Sequence, residues 1–200
     1  YFSAMKILPI QITRRCYYAK CEFCAIYISW DGKYRQRRID SVLDDIEKYV
    51  AQGVTYFRIV DEDCSPHALR EFVNGINERG LRIKFEAYSR FEKLFLDQDF
   101  CKKLYAAGCR QLFFGLESIG EQTFAMTKKG AFYTKDHIKA VLKNTSDAGI
   151  LNYCFVMIGI PNTPLAEEEE TVSFIINEPN MHCIALDSYV FEMYSPMHRD

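Results

Sequence analysis

The sequence predicts an α/β protein, a (β/α)6 partial barrel of the TIM type with a parallel inner sheet and outer helices. Three observations carry this expectation. Short apolar runs alternate with helix-like segments six times along the 200 residues, and strict alternation makes a parallel sheet with helical crossovers, which an open doubly wound sheet and a curled barrel both fit. The runs are almost continuously apolar, as strands covered on both faces are. Polar residues gather at the C-terminal ends of successive strands, which is where parallel barrels place their sites.

The elements follow in order. "MKILPIQIT" is the first strand. A helix begins near Ser41, with Val42, Ile46, Tyr49 and Val50 on one face, and Gly53 closes it. "VTYFRIV" is the second strand, and Ser65-Pro66 then pairs an N-cap with proline at the first helical position. That helix carries Leu69, Phe72, Val73 and Ile76 as its apolar stripe. "LRIKFEAY" is the third strand. It alternates Ile83, Phe85 and Ala87 against Lys84, Glu86 and Tyr88, so one face suits helices while the other carries charge toward a cavity or ligand. Asp97 caps the next helix, which ends at Gly108. "CRQLFFGLE" is the fourth strand, ending in Glu117 with Gly115 leaving room on the same face. Ser118 to Glu121 reads as a capping box for a short helix. A longer helix runs from about Thr134 to Gly149. "LNYCFVMIGI" is the fifth strand, Thr163-Pro164 opens a helix as Ser65-Pro66 does, and "HCIALDSYVFEM" is the sixth strand. The acidic run Glu167 to Glu170 sits near that helix start, where the helix dipole favours acids, and reads as a solvated face.

The formal net charge of -2 gives no bulk pull toward nucleic acid or anionic membrane. No apolar run has the length of a membrane span, and the first residues lack the pattern of a signal peptide. Eight cysteines without paired spacing outside one cluster suit a reducing, cytoplasmic compartment better than a disulfide scaffold. Cys64, Cys101, Cys109, Cys154 and Cys183 are scattered singly, and Cys64 reads as a packed thiol. The start lacks an initiator Met and the end "SPMHRD" has no tail character, so residues 1–200 are read as one domain of a longer chain.

The chemistry concentrates in "RRCYYAKCEFCAIY", where Cys16, Cys21 and Cys24 fall within nine residues. A closed zinc site needs a fourth Cys or His, and the histidines His67, His137, His182 and His198 are isolated. A cluster of four irons usually takes four thiolates, and three would leave one iron open to bind a substrate or cofactor. A metal-free thiol loop and an opportunistic zinc site are the competing readings.

This loop, the barrel rhythm, "GCRQLFFGLESIGEQTFAMTKKG" and "GILNYCFVMIGIPNT", in that order over roughly residues 6 to 195, resemble the radical S-adenosylmethionine (SAM) superfamily. The likeness is greatest to its methylthiotransferase, coproporphyrinogen dehydrogenase and cobalamin-dependent branches. The resemblance implies a [4Fe-4S] cluster on Cys16, Cys21 and Cys24, with SAM chelated at the open iron. It implies reductive cleavage of SAM to a 5′-deoxyadenosyl radical that abstracts hydrogen from a substrate. Methyl transfer and peptide modification, with tRNA or lipid modification, are the reactions left open. It implies that Phe23 packs near cluster and adenine, that Asp61 and Asp63, or equally backbone carbonyls of that segment, receive the SAM amino group, and that Glu86 binds the ribose. Glu117 would lie near the methionine part, Lys129 would pair with the SAM carboxylate, and Met157, Gly159 and Pro161 would line the adenine. A flavodoxin- or ferredoxin-type donor would supply the electron, and cobalamin, where used, would sit in an upstream domain outside these residues. The substrate class, a peptide among the candidates, is not legible.

Two departures stand beside the likeness. The first cysteine gap holds four residues where three are commonest, and the fifth-strand turn reads "PNTP" where the cobalamin-type branch more often has Gly-Glu-Thr. Each residue also has a plain structural reading. Glu86 would pair with Lys84 or Arg90, Glu117 would cap the following helix, Asp61 and Asp63 would cap the helix at Ser65, and Lys129 would lie exposed. The basic stretch "KYRQRR", Lys33 to Arg38, reads as a solvated loop or as a dock for an acidic donor. From a different class, the rival to an enzyme is a non-catalytic iron–sulfur or zinc scaffold on the same barrel.

Overall fold

The computed structural model describes residues 7–26, 28, 32–129 and 133–199. Along the chain come β1 (Ile7–Ile10), β2 (Thr13–Arg14), β3 (Arg35–Gln36), α1 (Ile39–Val50), β4 (Tyr56–Ile59), α2 (Pro66–Glu78) and β5 (Lys84–Ser89). They are followed by α3 (Gln98–Ala106), β6 (Cys109–Glu117), α4 (Glu121–Thr127), α5 (Lys135–Asp147), β7 (Leu151–Ile158), α6 (Leu165–Asn177), β8 (Cys183–Ser188) and α7 (Pro196–Arg199). Six strands form one sheet in the order β1-β4-β5-β6-β7-β8, every pair parallel. This is the expected partial barrel, with β1 and β8 as its two edges. Met5 and Lys6 of the first strand, and Gly130 closing the fourth-strand motif, lie outside the described residues.

Alternation along each strand sorts the side chains. Phe57 and Ile59, Phe85 and Ala87, Leu112 and Phe114, and Cys154 and Val156 are buried under the helices. Phe72 of α2 meets Phe85 edge-on at 5.4 Å between ring centroids, and Phe95 meets Phe114 in the same way at 5.6 Å. Tyr56 and Arg58, Glu86 and Tyr88, Phe113 and Gly115, and Tyr153, Phe155 and Met157 take the opposite, inner face.

Local capping chemistry marks where three of the helices begin. Ser65 Oγ accepts from Ala68 N at 3.2 Å with Pro66 following, and Asp97 Oδ1 accepts from Asp99 N and Phe100 N at 3.0 and 3.1 Å. Thr134 Oγ1 does the same for His137 N at 3.1 Å. Three expectations are corrected. Ser118 and Glu121 form no capping box: the N-cap of α4 is Gly120, and Ser118 Oγ accepts from Gly120 N. The cap is supplied from α6, where the Glu167 carboxylate accepts from Gln122 N, Thr123 N and Thr123 Oγ1 at 2.9, 3.0 and 2.8 Å. Glu167 is thus an acceptor for its neighbour rather than a member of a solvated face. Thr163 does not cap α6, because extended Pro164 occupies the N-cap and Thr163 N turns back to Ile160 O.

Gly108, where α3 returns to β6, has φ +110°, and a Cβ there would fall 2.0 Å from the Ile83 carbonyl oxygen. Both the left-handed backbone and the backbone clash oppose any side chain. Gly108→Ala is expected to cost at least ~2 kcal/mol, read as a lowered urea midpoint at unchanged m-value.

Candidate functional site

The cysteine loop is held by backbone before any side chain is considered. Asp61, just past β4, is buried and accepts from Ile12 N and Thr13 N, both at 2.8 Å, and from Thr13 Oγ1 at 2.7 Å. It therefore clamps the exit of β1. β2 and β3 pair antiparallel around the loop, so Arg35 and Gln36 of the basic stretch are strand residues that close its base. Within the four-residue gap, Ala19 takes a left-handed φ of +45°, which turns the chain. Tyr17 donates to the Glu92 carboxylate, Tyr18 donates to Lys128 O, and the Arg90 guanidinium lies 3.4 Å over the Tyr18 ring. Far from being a loose extra residue, the longer gap is pinned at both tyrosines. Glu22 N donates to Thr127 O at 3.0 Å, tying the loop to α4.

Burial pushes the Asp61 carboxyl up to about 6 from an ordinary 3.8, against the three hydrogen bonds that pull it down. The folded chain thus keeps a proton on Asp61 that the unfolded chain releases, so stability is full below pH 3.8 and declines as pH rises to about 6. Asp61→Asn, which cannot ionise, is expected to flatten this decline. Urea titrations at pH 4 and pH 7 measure the difference, on the order of 2–3 kcal/mol.

Cys16, Cys21 and Cys24 all line one cavity of about 310 Å³ at the C-terminal end of the sheet. Phe23, Asp63, Glu117 and Lys129 line it too, as do Tyr88, Arg90, Phe113 and Phe155. The sulfurs receive backbone donors: Ala19 N reaches Cys16 Sγ and Ile26 N reaches Cys24 Sγ, both at 3.4 Å. Cys16 Sγ itself donates to Asp63 Oδ2 at 3.6 Å, and Asp63 Oδ1 accepts from Arg90 N at 3.3 Å. Burial, then Asp63, pushes the Cys16 thiol up to about 12, and burial raises Cys21 and Cys24. Lys129 and Arg90 oppose that rise at Cys21. Three half-buried thiols that resist ionisation, with backbone donors already aimed at two of them, suit a cation that takes the place of their protons. Among the described residues no three Cys, His, Asp or Glu side chains converge as they would around a single ion. In a multinuclear cluster each thiolate binds its own iron, so the sulfurs stand farther apart than around one ion. What supports a cluster is the donor chemistry, three cysteine thiols lining one cavity.

Lys129 and Glu117 form the charged wall. Lys129 Nζ lies 2.9 Å from Glu117 Oε1, with side chains only 8% and 13% exposed, and over the Phe23 ring at 5.5 Å from its centroid. Burial alone would depress the Lys129 ammonium, but Glu117 and then Cys21 outweigh it and raise it. The expectation of an exposed Lys129 is thereby corrected: the αL turn at Lys128 sends it inward. Glu117 itself has φ +64° at a break in the β6–β7 register. A Cβ on Gly115 would meet Lys129 Nζ at 2.7 Å and Glu117 Oε1 at 2.8 Å, so the space expected at Gly115 is the space this pair occupies.

The structure does not bring every anticipated residue here. Asp61 holds β1 rather than the cavity. Glu86 is buried lower on the inner face, paired with Arg58 and accepting from Tyr56 Oη at 3.2 Å, not with Lys84 or Arg90. Met157 sits on β7 opposite Asp187, Gly159 N donates to Glu168 Oε1 at 2.7 Å, and Pro161 borders a separate surface groove with Phe191 and Met197. Tyr88 lies on the cavity-facing side of its strand, as its alternation predicts, whereas Arg90, Phe113 and Phe155 are additions to the expected site. The period of two on β5, β6 and β7 puts the three aromatics on the charged, inward face, and was the available signal.

A parallel partial barrel with three cysteines facing a cavity past the end of its first strand defines a class, and residues 10–175 match the radical SAM superfamily. The chain belongs to that superfamily. Its fold is similar to the radical S-adenosylmethionine methyltransferase TsrM from Kitasatospora setae, solved with cobalamin and a [4Fe-4S] cluster. The TM-score is 0.81 at 21% identity, over 96% of this chain and 36% of that one. It is similar also to the cobalamin-dependent S-adenosylmethionine radical enzyme OxsB, with TM-score 0.76 at 17% identity over 96% and 34% of the two chains. In sequence it is 23% identical over 168 residues to an uncharacterized methyltransferase of Pyrococcus horikoshii, covering 82% of this chain and 36% of that protein. The chain thus spans about a third of the length of these relatives. No helix among the described residues is long and apolar enough to cross a membrane.

Proposed function

We propose that this chain is the catalytic core of a radical SAM enzyme, with Cys16, Cys21 and Cys24 holding a [4Fe-4S] cluster that lacks a fourth protein ligand. The observation that carries the proposal is the convergence of these three thiols on one cavity with the buried Lys129–Glu117 pair. When bound, cluster and SAM together supply one-electron chemistry that cleaves the sulfonium and generates a carbon radical; the side chains described here hold and shield that chemistry.

The Lys129–Glu117 pair offers one charge of each sign, matching the carboxylate and ammonium of a zwitterionic amino-acid head. Asp63, held by Arg90 N, offers a second acceptor for the ammonium. Phe23 covers the cavity beside Lys129, and Tyr88, Phe113 and Phe155 keep its floor apolar, which excludes water from a reactive centre. The exposed basic residues Lys33, Arg35 and Arg38 suit docking of an acidic low-potential electron donor near the cysteine loop. We extend the reading to methyl transfer, with a corrinoid carried outside these residues. The likeness to proteins described as methyltransferases supports that extension.

The test is anaerobic incubation of the iron-reconstituted protein with dithionite and SAM. Release of 5′-deoxyadenosine and methionine is the expected result. A protein that binds iron yet leaves SAM intact would be a scaffold, and the proposal would fall.

A further inference from the structure

Glu167 does not line the cavity of the cysteines, yet it is bound to the short helix that ends beside them. We infer that Glu167 is a positioning residue, which through α4 holds Lys129 in the cavity wall beside Glu117. The inference deepens the proposed function by naming the device that sets its charged wall. It rests on that reading only for the consequence in SAM binding.

α4 has little means of placing itself. It is seven residues long and includes Thr123 and Thr127, and so short a helix with β-branched residues is unstable alone. Its start is bound to α6 instead. Besides the three hydrogen bonds accepted by the Glu167 carboxylate, Thr171 Oγ1, one turn further along α6, accepts from Ile119 N at 3.3 Å and lies 3.1 Å from Ser118 Oγ. Thr171 Oγ1 donates in turn to Glu167 O at 2.7 Å. Burial would raise the Glu167 carboxyl, but the hydrogen bonds from Gln122 N and Thr123 outweigh it and hold the group below its ordinary value. Gly120 makes the approach possible: a Cβ there would fall 2.0 Å from Glu167 Oε2 and 2.8 Å from Glu167 Cβ. With φ at -71° the backbone does not demand glycine at this position; the closeness of Glu167 does.

The other end of α4 reaches the site. Thr127 O accepts from Glu22 N of the cysteine loop, Lys128 turns through the left-handed region at φ +48°, and Lys129 O accepts from Arg90 Nη2 at 2.7 Å. Lys129 Nζ thus meets Glu117 two residues after the helix ends, so loosening of α4 displaces Lys129. The cysteine loop has further anchors, Asp61 on Ile12 N and Thr13 N and Glu92 on Tyr17. Release of α4 is therefore expected to move the charged pair and leave the thiols in place.

Three variants of the iron-reconstituted protein test this. Glu167→Ala removes the acceptor, Gly120→Ala displaces the carboxylate without changing any charge, and Glu167→Gln keeps one acceptor oxygen. Amine acetylation read by mass spectrometry reports whether Lys129 is enclosed. Both alanine variants are expected to acetylate Lys129 at least tenfold faster than the parent, with exposed Lys103 unchanged and Glu167→Gln in between. They should retain the parent's iron, bind SAM about tenfold more weakly, and bind 5′-methylthioadenosine, which lacks the amino-acid head, as the parent does. A general loosening of the barrel would weaken both nucleosides. Lys129 as protected in both alanine variants as in the parent would overturn the inference, and so would equal loss of SAM and 5′-methylthioadenosine. Lys129 released with SAM affinity unchanged would uphold the positioning and remove Lys129 from SAM binding. Lys129 released in a protein whose parent leaves SAM intact would uphold the positioning and remove the proposed reaction.

Discussion

Single replacement of Cys16, Cys21 or Cys24 by alanine is expected to abolish SAM cleavage and to strip most of the reconstituted iron. Replacement of Cys64 or Cys154 should leave both in place. The contrast follows from position rather than residue type. All eight cysteines are free thiols, but only the first three face the cavity; Cys64 and Cys154 are buried in the hydrocarbon core. Removing a ligand thiol leaves two sulfurs for four irons, and the remaining donors of the site, Asp63 and Glu117, are already engaged with Arg90 N and Lys129. Removing a packed thiol leaves a small void that costs about 1 kcal/mol and touches no ligand. Iron analysis and the visible absorption band near 400 nm read the two classes apart. Cysteine variants that all lose iron alike, Cys64→Ala included, would show that stability and not ligation governs retention.

Lys129→Met is expected to be the most damaging change outside the cysteines. It leaves the Glu117 carboxylate enclosed without its partner, and breaking a buried pair from one side costs about 3–5 kcal/mol. Removing both charges together, as Lys129→Met/Glu117→Gln, avoids a stranded ion and is expected to recover most of that loss. The recovered double variant should still bind SAM poorly, because the cavity has lost both charges that match the amino-acid head. Thermal melts and equilibrium binding of SAM to the reconstituted protein separate these effects. A double variant that regains stability and SAM affinity together would limit the pair to a structural role.

The fold was legible wherever information was local. Apolar runs on a β period, and caps made by a residue two or three positions from the N–H that donates to it, such as Ser65, Asp97 and Thr134, need no knowledge of the rest of the chain. The cap of α4 was not legible because its acceptor, Glu167, arrives from a helix 45 residues after Gln122. The β2–β3 pair has two residues per strand, too few for a pattern. The candidate site divides in the same way. The cysteine spacing and the Gly115–Glu117 end of β6 announced themselves, whereas Asp61 and Asp63 look alike in sequence and part in space. Asp61 turns to the β1 exit and Asp63 to the cavity. Glu86 found Arg58 across the strand pair β4–β5, a partner 28 residues away that no local pattern reveals.

The central claim is that three thiolates leave one iron open to SAM, and Mössbauer spectroscopy of the reconstituted protein tests it most directly. With 57Fe in the cluster, adding SAM should shift the signal of one iron in about four and leave the others unchanged. A spectrum in which every iron ignores SAM, or a protein that takes up no iron as a cluster, would contradict it.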